Sequence, residues 1–90
     1  VIQITHKRMS VSGSKRHEHI SAVKWYNPKD GNVDSSTVAT MVTWLRKGNR
    51  AYVCDGYNIV EVGVVEANPP YIRTHADKKW TDNLLALPAF

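Results

Sequence analysis

From Val1 to Met9 the chain alternates, with Ile2 and Ile4 on one side and Gln3, Thr5 and Lys7 on the other, which is the period of a half-buried strand. The small, polar stretch "SVSGSK" at Ser10 to Lys15 predicts a hairpin loop. A second strand rich in β-branched and aromatic residues follows from His17 to Tyr26, until Asn27, Pro28, Asp30 and Gly31 break it. The period then changes. Val38, Met41, Val42 and Leu45 recur at helical spacing, with Thr40, Thr43 and Lys47 opposite them, and Asp34, Ser35 or Ser36 is placed to cap the helix start. Arg46 and Lys47 suit the negative end of the helix dipole, and Gly48 with Asn49 supplies a stop. Ala51 to Cys54, the turn pair Asp55-Gly56, and Ile59 to Glu66 predict a second hairpin in which Val60, Val62 and Val64 share a face. "NPP" at Asn68 to Pro70 ends that strand, because proline gives a sheet no donor. Tyr71 to His75 then forms a last strand, and Trp80 to Phe90 lies over the sheet as a turn or short helix anchored by Leu84, Leu85 and Leu87.

The order β-β-α-β-β-β predicts an α+β fold in which an antiparallel sheet of four to five strands packs on one helix. Ninety residues make one domain, residues 1–90, with a single modest core. A hydrophobic fraction of 42% and a charged fraction of 22% are those of an ordinary globular chain. No window approaches the roughly 18 apolar residues of a membrane span. Val1 to Arg8 also lacks the apolar centre of a secretory signal, so the expected location is the cytoplasm. The lone Cys54 excludes an internal disulfide framework and a multi-cysteine zinc site, and fits a reducing compartment.

Charge changes this picture by being uneven. Of the net +4, residues 1–50 hold nine Lys/Arg against three Asp/Glu, or +6, while residues 51–90 hold three against five, or −2. A basic N-terminal half admits anionic partners, among them nucleic acid and nucleotides.

"HEHISAVKWYNP" at His17 to Pro28, "STVATMVTWL" at Ser36 to Leu45, "GVVEANPPYIRTHAD" at Gly63 to Asp77 and "WTDNLLALP" at Trp80 to Pro88 together resemble a family of short, uncharacterised bacterial and phage proteins. Members typically finish with Tyr, an aliphatic residue, Arg-Thr, then Asp-Asn-Leu and Leu-Pro. The resemblance implies an accessory role, such as acting on host machinery or host defence, and supplies no catalytic or ligand-binding residue to carry over.

Three groups of residues are candidates for chemistry. Tyr71 and Arg73 share a strand face, Lys78, Lys79 and Trp80 follow within reach, and Trp25 sits on another strand. Aromatic faces stack bases and an arginine fork matches phosphate oxygens, so this set predicts an anion or nucleotide surface; the alternative is that the aromatics pack and the cations snorkel around them. The second group is histidines. A hairpin centred between Ser12 and Gly13 sets His6 opposite His19 and Arg8 opposite His17, an incomplete zinc set of His6, His17 and His19 that needs water or His75. Stacked histidines without metal are the commoner arrangement, and no cofactor is expected. In the third group, Thr81, Asp82 or Asn83 is expected to cap the turn before the last apolar run.

Catalysis has little support. Cys54 precedes Asp55, whose charge disfavours a thiolate; the glycines are dispersed and fit turns, the helix stop and a strand; and carboxylates spaced for acid–base work are lacking. The expected function is a small non-catalytic binding protein for an anionic ligand or a protein partner. The alternatives are nucleic-acid binding through the basic half, and an oligomerisation module that pairs Val1 to Met9 or Tyr71 to His75 as edge strands.

Overall fold

In a computed structural model of the protein, which describes residues 1–56, 58–76 and 78–90 and of Asp55 the backbone only, strand β1 runs Ile2–Met9. A single 3-10 turn at His17–His19 leads into β2, Ile20–Tyr26. β3 is Val33–Thr37, α1 is Val38–Arg46, β4 is Ala51–Asp55, β5 is Asn58–Val65, β6 is Tyr71–Ala76 and β7 is Lys79–Thr81. The fold is α+β as expected, with one α-helix among the described residues, but the sheet has seven strands rather than four to five, in the order β3-β2-β1-β4-β5-β6-β7.

The two added strands are the two outermost ones. Val33–Thr37 is polar and exposed, and its Asp and Ser residues read as helix caps; instead they pair along β2, from Ala22↔Thr37 to Tyr26↔Val33. The helix therefore starts later than Asp34–Ser36 suggests, capped by Thr37, whose hydroxyl accepts from the Thr40 N–H at 3.2 Å. β7 is a three-residue return along β6, within a stretch where a turn or short helix was expected. With β3 and β7 outermost, β6 is interior, and β1 is flanked by β2 along its length and by β4 over Ile2 and Gln3, so neither is an outermost strand. The real edges are short, and they carry Asp34 on one side and Lys79 on the other, features that discourage strand addition.

One pair is parallel. β1 lies beside β4 in parallel, where an antiparallel sheet was expected throughout. The reason is topological: β3 is antiparallel to β2 and β2 to β1, so β3 and β4 point the same way and need a crossover, which α1 provides. The helix is thereby laid across the sheet, burying Val38, Met41 and Val42 against Ile2, Ile4, Val23, Ala51, Val53, Val62 and Ile72. Each Val, Ile or Met side chain among these contributes about 1.5–3 kcal/mol when fully buried. The last apolar run completes the core, with Leu84 wholly buried and Leu85 and Leu87 packed at its margin. The β4–β5 hairpin is present as expected, but Asp55 belongs to β4 and pairs with Asn58 rather than forming the turn with Gly56, which takes a positive φ of 59° that its missing side chain makes cheap. No helix among the described residues is long and apolar enough to cross a membrane.

Register shifts in the β1–β2 ladder decide which side chains of β1 face the core side of the sheet. Ile4 pairs with Trp25 and His6 with Lys24, leaving Thr5 as an inserted residue. Cross-strand partners share a face, so Lys7, opposite Val23, is turned to the face of Ile4, whereas simple alternation puts it on the other. The sheet also curls enough that the His17–His19 turn meets β6, three strands away in the sheet order.

Candidate functional site

That curl and that bulge open a cleft of about 850 Å³ between the β1–β2 loop, β6 and the C-terminal segment. Lys7, Lys15, His17, Arg73 and Asp82 supply its charged and titratable groups, and Met9, Leu85 and Ala89 part of its apolar wall. Three cations against one carboxylate leave the lining at +2 with His17 neutral.

Each polar group is held by a traceable local cause. Lys7 reaches inward because of the Thr5 bulge, and its ammonium donates to the Leu85 carbonyl, while its backbone N–H donates to the Pro88 carbonyl at 3.0 Å and its own carbonyl accepts from the Phe90 N–H at 3.1 Å. Lys15 is presented by a loop that Ser14 shapes: the Ser14 hydroxyl accepts from the Arg16 N–H at 3.1 Å and bonds His19 Nδ1 at 2.7 Å. Arg73 projects from β6 toward the end of β7, where its Nε donates to the Thr81 carbonyl at 3.0 Å and its Nη2 to Asp82 Oδ1 at 2.8 Å. Arg73 is 28% exposed and Asp82 74%, so the guanidinium is the fixed member of the pair and the carboxylate the solvated one.

His17 is the unusual member. Its side chain is only 8% exposed, and its Nε2 has no hydrogen-bond partner among the described residues. The nearest carboxylate oxygen, Asp82 Oδ1, is 3.6 Å away, beyond hydrogen-bonding distance. Burial pushes the imidazole below its ordinary value, the Arg73 charge adds to this, and Asp82 and Glu18 oppose it. A buried polar atom without a partner costs about 1–3 kcal/mol, which marks a place where a further group fits.

The residues predicted as one anion surface are distributed over separate places. Arg73 lines the cleft. Lys78, Lys79 and Trp80 line a smaller hollow of about 270 Å³ with His75, whose ring meets Trp80 edge-on at 5.6 Å. Trp25 lies against the helix, donating its indole N–H to the Ser36 hydroxyl at 3.1 Å and facing Met41 and Trp44. Tyr71 packs half-buried at the edge of the core. Trp25 and Tyr71 thus take the packing role that was the alternative for them, and Arg73 is tied by internal bonds. Lys7, Lys15 and His17 are the cleft residues that went unpredicted as anion contacts, since only the bulge and the curl bring them to Arg73.

The histidines are not gathered. His6 is opposite Lys24 rather than His19, and His17 and His19 belong to the 3-10 turn rather than to a strand, so the hairpin register that aligned them is not the one adopted. His6 Nδ1 lies 2.9 Å from the Thr5 hydroxyl. Among the described residues no three His, Cys, Asp or Glu side chains group as a metal site. Cys54 is exposed, with Sγ 3.6 Å from the Gly56 carbonyl, and the proposed influence of Asp55 on it lies outside the described residues. Asp82 does not cap the last turn with its side chain, which goes to Arg73; its backbone carbonyl closes that turn by accepting from the Ala86 N–H at 3.0 Å.

The fold and the cleft define a small α+β protein with one α-helix among the described residues and a curled, mostly antiparallel sheet. The chain belongs to the family described as a protein of unknown function, DUF3892, whose model matches residues 3–88. No curated protein and no solved structure matches it.

Proposed function

We propose that this chain is a non-catalytic binding protein whose basic cleft takes an anionic ligand, a nucleotide-like or other phosphorylated molecule, and that it serves in the cytoplasm as an accessory factor of bacterial or phage origin. The observation that carries the reading is His17: a buried imidazole with an unpartnered Nε2, set in a cleft with Lys7, Lys15 and Arg73. Such a group costs stability in the free protein and gains a partner when an oxyanion enters. The cleft has the size of a small-molecule site.

The test is a titration of the isotopically labelled protein with pyrophosphate and with adenosine monophosphate, followed by NMR. Saturable shifts centred on Lys7, Lys15, His17 and Arg73, weakened about tenfold by Lys15→Ala, are expected. No shift at millimolar ligand would overturn the reading. Binding of generic DNA or RNA with log K falling linearly in log salt, by about 0.9 per phosphate on duplex DNA, would point instead to a nucleic-acid function of the basic half.

A further inference from the structure

We propose that Asp82 is a built-in competitor at this site: its carboxylate occupies the place between Arg73 and His17 that a tetrahedral dianion takes, either inorganic phosphate or the terminal group of a phosphomonoester. The inference rests on reading the cleft as an anion site, and it adds what the anion is and what it must displace.

The geometry is that of an anion bound by half. Asp82 Oδ1 sits 2.8 Å from Arg73 Nη2 but 3.6 Å from His17 Nε2, so the guanidinium is satisfied while the imidazole nitrogen, a donor when the ring carries its proton on Nε2, is left short. The short aspartate side chain is tethered to the backbone just beyond β7 and does not reach both partners. A free tetrahedral oxyanion has no tether and presents oxygens in several directions, so it can serve both at once. The cationic side is meanwhile prepared. Arg73 keeps its Nε bond to the Thr81 carbonyl whichever anion its Nη2 holds, and His17 is packed in place.

Asp82 is the movable partner. At 74% exposure it can swing into water and remain fully solvated, and a pair with so exposed a member is weak. When it leaves, the lining charge rises from +2 to +3, because Lys7, Lys15 and Arg73 are then unopposed in the cleft. The arrangement therefore favours ligands of double negative charge over monoanions such as acetate, which offer little more than Asp82 already does.

The test measures binding of inorganic phosphate, glycerol phosphate and acetate to the wild-type chain and to Asp82→Asn and Asp82→Ser, by calorimetry and NMR, after denaturant unfolding has established that each variant is folded. Both variants are expected to bind phosphate or glycerol phosphate about five- to tenfold more tightly than wild type, with acetate remaining the weakest ligand. Preference for glycerol phosphate over inorganic phosphate would identify a phosphomonoester as the source, and the reverse a free phosphate. If wild type binds and the variants bind equally or more weakly, the competitor role is refuted while the anion site stands. If no form binds any of the three at millimolar concentration, the site reading falls and the competitor with it. If both variants unfold, Asp82 is a structural staple and the competitor role is refuted.

Discussion

Replacing Thr74 with valine isolates the contact that fastens the C-terminal segment, and with it one wall of the cleft. Thr74 is wholly buried on β6, and its hydroxyl donates to the Thr81 carbonyl at 3.1 Å while accepting from the Thr81 hydroxyl at 2.8 Å and from the Leu84 N–H at 3.3 Å. Valine keeps the volume and removes all three bonds. The donated bond is worth about 1 kcal/mol, and the Thr81 carbonyl keeps a partner in Arg73. The Leu84 N–H loses this acceptor beside a fully buried side chain, at a cost of about 1–3 kcal/mol. The Thr81 hydroxyl is half-buried and can turn to water, and the added methyl returns about 0.8 kcal/mol. The net expectation is a loss of about 1–3 kcal/mol, or a fall of about 5–20 °C in Tm for a domain of this length. Urea unfolding followed by tryptophan fluorescence measures it, with Thr74→Ser as the internal control: serine keeps the hydroxyl and loses only a methyl, at about 1 kcal/mol. Hydrogen bonding therefore orders the damage as valine worse than serine, whereas packing alone orders it the other way. A valine variant within about 0.5 kcal/mol of wild type, or a serine variant that is the worse of the two, refutes the reasoning.

Other expectations rest on particular contacts. Because burial, then the Arg73 charge, holds His17 below its ordinary 6.5, the unfolded chain takes up that proton first. Keeping His17 neutral carries no pH-dependent penalty above that pH, and a penalty grows as pH falls from there through its folded-state value, so His17→Gln should flatten the acid-side fall of the stability profile that begins near 6.5. Leu84→Ala empties a fully buried site and should cost about 2–5 kcal/mol by denaturant unfolding. Thr37→Ala removes the helix cap and should cost about 1 kcal/mol by denaturant unfolding, and a change of less than about 0.3 kcal/mol would show that Thr37 is not the cap. Gly63→Ala places a methyl 3.0 Å from the His75 ring and 3.5 Å from Trp80; the ring can give, so a loss near 1 kcal/mol with an altered Trp80 emission is expected, and unchanged emission would show that the rings are not packed there.

Much of the fold was legible because local periodicity carries it. The apolar positions Ile2 and Ile4, Val38 with Met41 and Val42, and Val60 with Val62 are buried, and Gly56 and the Gly48 stop fall where their backbone freedom is needed. The outermost strands were not legible for an equally physical reason. Val33–Thr37 and Lys79–Thr81 bury little, so they carry no alternation, and they exist because the neighbouring strand offers unpaired backbone groups.

The same division runs through the site. Arg73 could be singled out from the chain alone, since an arginine among aromatics in a short strand is conspicuous. Its companions could not. Lys7 reaches the cleft only through the inserted Thr5, and His17 only through the curl that carries its turn to β6. Residue order dictates which side chains share an element, because that is set by bonds and short-range sterics. Which elements face one another across a cleft depends on twist, bulges and a helical crossover, whose effects accumulate over the whole sheet and leave no mark at any single position.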